Sequence, residues 1–236
     1  MATAANLPAV VSEDVINALD LASSNANLTV ASQFKRAFAT AEAVGQLKAL
    51  LTPKVMEPIL HLQNTALGFM TDRRDNGYPV DVVKDCLIDA VLSGVSPVGN
   101  EFNIIAGRAY ITKNGMKHKL SNVDGLSYTL TPGIPKMSGD AKGAVVEMAI
   151  DWTYAGKENH KAISFAVRVN AGMGTDAIIG KATRKAAAWL YETVTGQTVD
   201  EGDVSDDGKV VDTTAKESPI DNAPATPATA DGELPM

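Results

Sequence analysis

Two runs of strictly alternating side chains constrain the fold of this chain more than any other feature. In residues 145–154 every second side chain is large and apolar, from Val146 to Tyr154. Residues 163–170 repeat the pattern from Ile163 to Val169, after a turn signal at Ala155-Gly156. A period of two with small or polar residues in between is typical of strands that bury one face. The two runs therefore predict half-buried antiparallel strands.

A second organising stretch, residues 92–120, predicts the end of a helix, a strand hairpin and the start of another helix. Gly94 and Pro97 are stop signals, because glycine tolerates a left-handed helix end and proline cannot continue a helix. The predicted strands are residues 101–106 and 109–112, joined by a turn at Gly107-Arg108. A short basic helix over residues 112–122 is expected to follow.

Together these patterns predict an α+β fold, in which helices pack on a small antiparallel sheet of about five strands. Thr175-Asp176 is expected to cap a helix over residues 177–193, and Thr52-Pro53 to begin one whose apolar stripe reaches Ala66. We expect an N-terminal helical arm over residues 1–48, a core over 49–196 and a disordered tail over 197–236. Alternatively, the N-terminal segment docks on a neighbouring subunit.

The net charge of −7 is unevenly distributed along the chain. Ten acidic residues and two lysines lie after residue 199, so that segment carries −8 and the remainder carries +1. The segment is rich in Pro, Ala, Thr and Asp and has almost no large apolar residues, a composition that does not support a packed core. The folded part is thus nearly neutral, with local basic clusters.

The residues that would carry metal, nucleotide or thiol chemistry are sparse. Cys86 is the only cysteine, so an internal disulfide is excluded, and its apolar neighbours favour a small buried side chain. His61, His118 and His160 lack the spacing of zinc ligands. The Gly172-Met-Gly174 sequence lacks the third glycine of a dinucleotide site, and no phosphate-binding loop is present.

Paired carboxylates, leader peptides and membrane spans give no stronger signal. Glu147 and Asp151 lie on one strand face but about 13 Å apart, which is too far for a paired acid and base. We interpret them as a solvated face. No leader peptide and no apolar run of about 20 residues is evident. We therefore expect a soluble, cytoplasmic protein that is not an enzyme and that uses no cofactor and no metal.

Basic residues form two clusters that suit single-stranded nucleic acid. Cations hold phosphates, and an occasional aromatic ring stacks on a base. One cluster lies on the predicted helix 177–193, on the side opposite its apolar stripe. The alternative interpretation is an ordinary solvated surface, since the folded part is not strongly basic. The candidate DNA-binding residues are Lys181, Arg184, Lys185, Lys113, Lys117, Lys119, Arg108 and Tyr110.

The ordered series of short motifs resembles the RecT family of single-strand annealing proteins, which includes Beta of phage lambda. The residues are Gly94-Val-Ser-Pro97, Glu101-Phe-Asn-Ile-Ile105, Ala109-Tyr-Ile-Thr-Lys113 and Gly115. In that family a helix ends in Gly-apolar-x-Pro, followed by a strand hairpin and a glycine that opens the next helix. A second similarity, at Thr175-Asp176 and Lys181–Lys185, is to the basic helix after the family's sheet. The resemblance covers about residues 50–195.

The resemblance implies an ATP-independent recombinase that binds single-stranded DNA and anneals complementary strands. It further implies rings or helical filaments of this chain, a phage or prophage gene, and a bacterial cytoplasm. The expected partners are single-stranded DNA, the annealed duplex, a phage exonuclease and the host single-strand binding protein, with no membrane. Two alternatives stay open, a single-strand binding protein that protects DNA without annealing it and a self-assembling phage structural protein.

The last residues of the tail, Asp231-Gly-Glu233-Leu-Pro-Met236, resemble the acidic tip of bacterial single-strand binding proteins. An acidic tail can compete with DNA for a cationic groove or recruit repair partners. A solubilising disordered end is the other interpretation of the same composition.

Overall fold

The computed structural model describes residues 11–26 and 33–199, together with two short strands at 203–204 and 210–211. The fold is α+β, as predicted. The helices are α1 (Glu13–Ala26), α2 (Gln33–Leu50), α3 (Pro53–Leu60), α4 (Val80–Leu92), α5 (Lys113–Ser121) and α6 (Thr175–Thr195). The strands are β1 (Phe102–Ile105), β2 (Arg108–Ile111), β3 (Ser127–Pro132), β4 (Lys136–Met137), β5 (Gly143–Tyr154), β6 (Lys157–Arg168), β7 (Asp203–Val204) and β8 (Val210–Val211).

The strands form separate sheets and not the single five-stranded sheet that we expected. β5 is the centre of a four-stranded antiparallel sheet, in which it pairs with β3, β4 and β6. β1 and β2 form a hairpin of their own, and β7 pairs only with β8. The expectation was wrong because the alternation of apolar residues shows that a strand has a buried face and not which sheet it joins.

The alternating runs fold into the predicted hairpin. β5 and β6 are paired from Gly143–Arg168 to Tyr154–Lys157. Ala155 and Gly156 both have positive φ, which is the geometry of a two-residue turn that matches the twist of the strands. The β1–β2 turn has the same geometry at Ala106-Gly107, one residue earlier than predicted.

α6 covers the inner face of the four-stranded sheet, α5 packs on α6, and together they form the first of two hydrophobic cores. Val146, Met148 and Phe165 from the sheet are almost completely buried against the alanine-rich side of α6. Full burial of such a side chain stabilises the fold by about 2 kcal/mol. Small residues on α6 let the helix approach the strands closely.

The second core lies between α1–α4 and the inner face of the β1–β2 hairpin. Its centre is the stacked pair Phe69 and Phe102, whose ring centroids are 4.8 Å apart. Leu47 of α2 belongs to the same core, and Lys48 forms an ion pair with Asp85 of α4 at 3.0 Å. The boundary proposed at residue 48 therefore falls inside a helix that packs on this chain's own core.

Several element boundaries differ from the predictions. α3 ends at Leu60, so the predicted stripe to Ala66 continues into a turn-rich segment. The cap of α6 is Gly174, and no side chain caps the helix; Thr175-Asp176 forms its first turn instead. Val199 is buried in the first core. The predicted tail from residue 197 therefore begins with packed residues, and its remainder, apart from β7 and β8, lies outside the described residues.

Candidate nucleic-acid interface

A groove of about 460 Å³ separates the outer face of the β1–β2 hairpin from α6. One wall comes from the hairpin and the start of α5, and the other from α6 and the end of β6. Among the described residues that line it, five carry positive charge and none is acidic. The cations are Lys113, Arg168, Lys181, Arg184 and Lys185.

Strand alternation explains why the hairpin wall is polar and aromatic. Phe102 and Ile104 point into the second core, so the intervening residues of β1 point to the groove. Asn103 is paired across the hairpin with Tyr110, and both line the groove. Cys86 Sγ lies 3.5 Å from the Gly107 carbonyl oxygen beneath the turn.

Lys181 and Arg168 form the edge of the helix wall. The Lys181 ammonium donates a hydrogen bond to the Arg168 carbonyl oxygen at 3.1 Å. Both side chains are partly exposed, so their charges reach the groove. Sequence analysis missed Arg168 as a site residue. The available signal was its position, at the end of the second alternating strand and shortly before the basic helix.

Arg184 is buried, although the sequence placed it on the side of the helix opposite the apolar stripe. Its side chain is only 2% exposed, and its Nε donates a hydrogen bond to the Ile111 carbonyl oxygen at 3.0 Å. Its guanidinium carbon lies 4.5 Å from the ring centroid of Tyr110. Arg184 thus connects α6 to β2 across the floor of the groove.

Lys185 is also buried, at 7% exposure. The prediction placed Arg184 and Lys185 opposite the apolar stripe, because helical periodicity identifies only the strongest apolar stripe. In the structure the sheet covers one side of α6, while α5 packs on another side and Arg184 contacts the hairpin. Two partners enclose the helix, and these cations lie between them.

Tyr110 lines the groove, but one face of its ring already carries the Arg184 guanidinium. That face is not available to a base. The stacked guanidinium and ring form a cation–π pair, which holds both side chains in position. The predicted stacking of a base on Tyr110 therefore cannot use the face that Arg184 covers.

The remaining predicted cations lie in three places, which are the groove, the exposed surface outside it and a separate cleft. Lys113 begins α5 and is exposed at the groove. Its helix is capped by Thr112, whose hydroxyl accepts hydrogen bonds from the amides of Asn114 and Gly115. Lys117 and Arg108 are exposed but do not line the groove, although Arg108 lies on the same hairpin face as Tyr110.

Lys119 lies in a different cavity, a cleft of about 760 Å³ on the other side of the hairpin. Its ammonium donates a hydrogen bond to the Ser93 carbonyl oxygen at the end of α4 and lies 4.4 Å from the ring centroid of Tyr191. Burial lowers the pKa of Lys119. The structure therefore separates Lys119 from the other predicted DNA-binding residues. Its side chain connects α5 to the end of α4 and to α6.

Elsewhere in the described part of the chain, two histidines form local pairs with carboxylates. His118 Nδ1 lies 2.7 Å from Glu101 Oε2, and His160 Nδ1 lies 2.6 Å from Asp151 Oδ1.

Burial, followed by the nearby Asp89 and Asp85 carboxylates, raises the pKa of Cys86 to about 12. Within the described ranges no three His, Cys, Asp or Glu residues are grouped as metal ligands, and no helix there could cross a membrane.

Comparison with protein-family models, with curated proteins and with solved structures finds no match to this chain. The groove must therefore be interpreted from its own chemistry. The described lining of the groove carries five cations, and a lining of this kind attracts a polyanion.

Proposed function

We propose that the chain binds single-stranded DNA in the groove between the hairpin and α6, and anneals complementary strands without ATP. The observation that carries this proposal is the groove's asymmetric lining. The α6 wall and Lys113 supply positive charge, while Asn103, Ile105 and Tyr110 supply amide, apolar and aromatic surface. Single-strand binding combines these two kinds of surface, cations for the backbone and apolar or aromatic groups for bases.

In the proposed mechanism the exposed cations neutralise phosphates, and the released counterions drive binding. Lys113, Lys181 and Arg168 have this role. Arg184 and Lys185 act from beneath, where their charge raises the potential of the groove floor and the Arg184 contacts fix its width. Because the protein only orders the strands, base pairing supplies the specificity and the free energy of annealing. No covalent bond forms or breaks.

We further propose a RecT-like annealing fold that works as a ring or helical filament. The support is the sequence order of helix end, hairpin and glycine-containing helix, which in this chain builds one wall of the groove. Gly115 fits that order physically, since α5 approaches the Glu101 carbonyl too closely for a side chain. A phage or prophage origin, a bacterial cytoplasm, a phage exonuclease and the host single-strand binding protein belong to the same proposal.

Salt-dependent binding of an oligothymidylate tests the proposal. We expect the affinity to fall steeply with salt, with a slope of about 0.7 per neutralised phosphate. Lys181→Ala should lower the affinity roughly three- to ten-fold. It should also reduce the salt slope by about 0.7, the value for one lost phosphate contact. Lys157→Ala is the matched control, because Lys157 is exposed beside the β5–β6 turn and does not line the groove.

The outcomes separate the proposal from its alternatives. If Lys181→Ala binds DNA with unchanged affinity, DNA does not bind in this groove. Salt-sensitive binding without accelerated annealing would favour a single-strand binding protein that only protects DNA. Absence of binding at any salt concentration would favour the structural phage protein.

A further inference from the structure

The segment Met70–Asp72 extends the β1–β2 hairpin by a third strip of backbone. Thr71 forms a parallel bridge with Ile104. The Ile104 amide donates a hydrogen bond to the Met70 carbonyl at 2.9 Å, and the Asp72 amide donates to the Ile104 carbonyl at 3.2 Å. The outer face of the hairpin is thus wider than its two strands.

Side-chain alternation places Met70 on the outer face. Thr71 is buried, like its bridge partner Ile104, so the neighbouring Met70 projects from the opposite side. The Met70 amide donates a hydrogen bond to the side-chain oxygen of Asn103 at 3.2 Å, and Asn103 lines the groove. Met70 is exposed and lies directly beside the polar wall of the groove.

Two further exposed apolar side chains lie at the end of this strip. Leu67 is 78% exposed, and Val98 is also exposed. Their loops are tied together, because the Gly99 amide donates to the Leu67 carbonyl at 2.9 Å and the Asn100 amide donates to the Gly68 carbonyl at 2.8 Å. These hydrogen bonds fix the backbone that carries the two exposed side chains.

The fixed loops join the cationic part of the groove. The side-chain amide of Asn114 donates a hydrogen bond to the Gly99 carbonyl at 3.3 Å, and Asn114 directly follows the groove cation Lys113. We define Leu67, Met70 and Val98 as the apolar rim. The rim continues the hairpin wall and is made of uncharged side chains, whereas the facing wall of α6 and the end of β6 carries four of the five groove cations.

We propose that the apolar rim binds the bases of a single DNA strand whose phosphates lie against Arg168 and Lys181 on the facing wall. This inference rests on the proposed function. A strand between one cationic and one apolar wall turns its phosphates to the first and its bases to the second. In a duplex the base faces are stacked inside, so the rim makes the site selective for unpaired bases.

Binding of two probes of equal length and charge tests the inference, an oligothymidylate and an abasic oligomer with the same number of phosphates. For the double variant Leu67→Ser/Met70→Ser we expect about five-fold weaker binding of the oligothymidylate and unchanged binding of the abasic oligomer. Val98→Ser should give a smaller loss of the same kind. Ile134→Ser is the matched control, because Ile134 is highly exposed in the β3–β4 loop away from the groove.

Lys181→Ala distinguishes the inference from the proposed function on which it rests, since it should weaken both probes equally. If Lys181→Ala has that effect and the rim variants have none, the rim assignment is wrong while the proposed function stands. If the unaltered chain binds neither probe, both fail. A rim variant that loses self-association, measured by light scattering, while it keeps base-dependent binding would overturn the inference in favour of a protein contact.

Discussion

The two sides of the β1–β2 hairpin come from the same few residues and have opposite properties. The inner side is core, with Phe102 and Ile104 completely buried against α4 and Phe69. The outer side lines a groove with five cations and no acidic residue among its described lining. Successive side chains of a strand point to opposite faces, so the same few residues form both surfaces.

The same contrast distinguishes two lysines of α5. Lys113 begins the helix and is exposed at the groove, whereas Lys119 lies in the inner cleft between Ser93 and Tyr191. That cleft also contains Asp89, whose pKa is raised by burial and then by Asp85. The charge of Lys119 in the inner cleft belongs to the fold, whereas Lys113 presents its charge at the exposed start of α5.

Cys86 gives the largest expected effect, because it tests whether the inner side is a closed core. The thiol is buried and its pKa is raised to about 12. Alkylation at pH 8 should therefore be slower in the native protein than in urea by roughly a thousand-fold. The chain has one cysteine, so mass spectrometry counts a single event. Rapid labelling of the native protein would show an open inner side.

The raised pKa also fixes the sign of the pH dependence. The folded state favours the protonated thiol, so its contribution to stability is complete below the unfolded pKa of 9.0. The contribution is lost as the pH rises toward about 12. A Cys86→Ala variant should lose this part of the alkaline destabilisation, which urea titration at pH 8 and pH 10 measures.

Gly115→Ala gives the next largest effect, because Gly115 holds α5 against the start of β1. An added Cβ would overlap the Glu101 carbonyl oxygen and crowd Ile111. We expect a loss of about 3 kcal/mol and a fall in Tm of roughly 10 °C. Gly45→Ala in α2 is the matched control, since nothing lies near its added Cβ. That variant should gain about 1 kcal/mol. Equal melting of the two variants would contradict the close approach.

Lys119→Ala distinguishes the two sides of the hairpin more finely. Loss of the hydrogen bond to Ser93 and of the contact with Tyr191 should cost about 1–2 kcal/mol of stability. DNA affinity at a temperature where the protein is folded should not change. Lys117→Ala, at an exposed position of the same helix, should alter stability by less than about 0.5 kcal/mol. Reduced affinity without reduced stability would place Lys119 in the DNA site.

Deletion of residues 200–236 should give the smallest effect, a change in DNA affinity without a change in stability. The segment carries −8, so its removal should tighten DNA binding by about two- to five-fold at low salt and have no effect at high salt. The described core through Val199 should keep its Tm. A truncated protein that melts much earlier would show that the segment contributes to the fold.

The sequence predicted the elements that depend on local pattern. The β5–β6 hairpin followed from strict alternation, and α5 lies within the short basic helix predicted over residues 112–122. It did not predict the burial of Arg184, because a helix enclosed by two partners shows only one apolar stripe. It also grouped Lys119 with Lys113, because their positions in the sequence do not show which side of the neighbouring hairpin each side chain reaches.

Annealing of two complementary fluorescent oligonucleotides, without ATP, tests the central claim most directly. The control is a non-complementary pair of the same length, and Lys181→Ala reports on the groove. We predict acceleration that is specific to the complementary pair and reduced in the variant. Binding of both strands without acceleration, or equal acceleration by Lys181→Ala, would contradict the claim that this groove orders single strands for annealing.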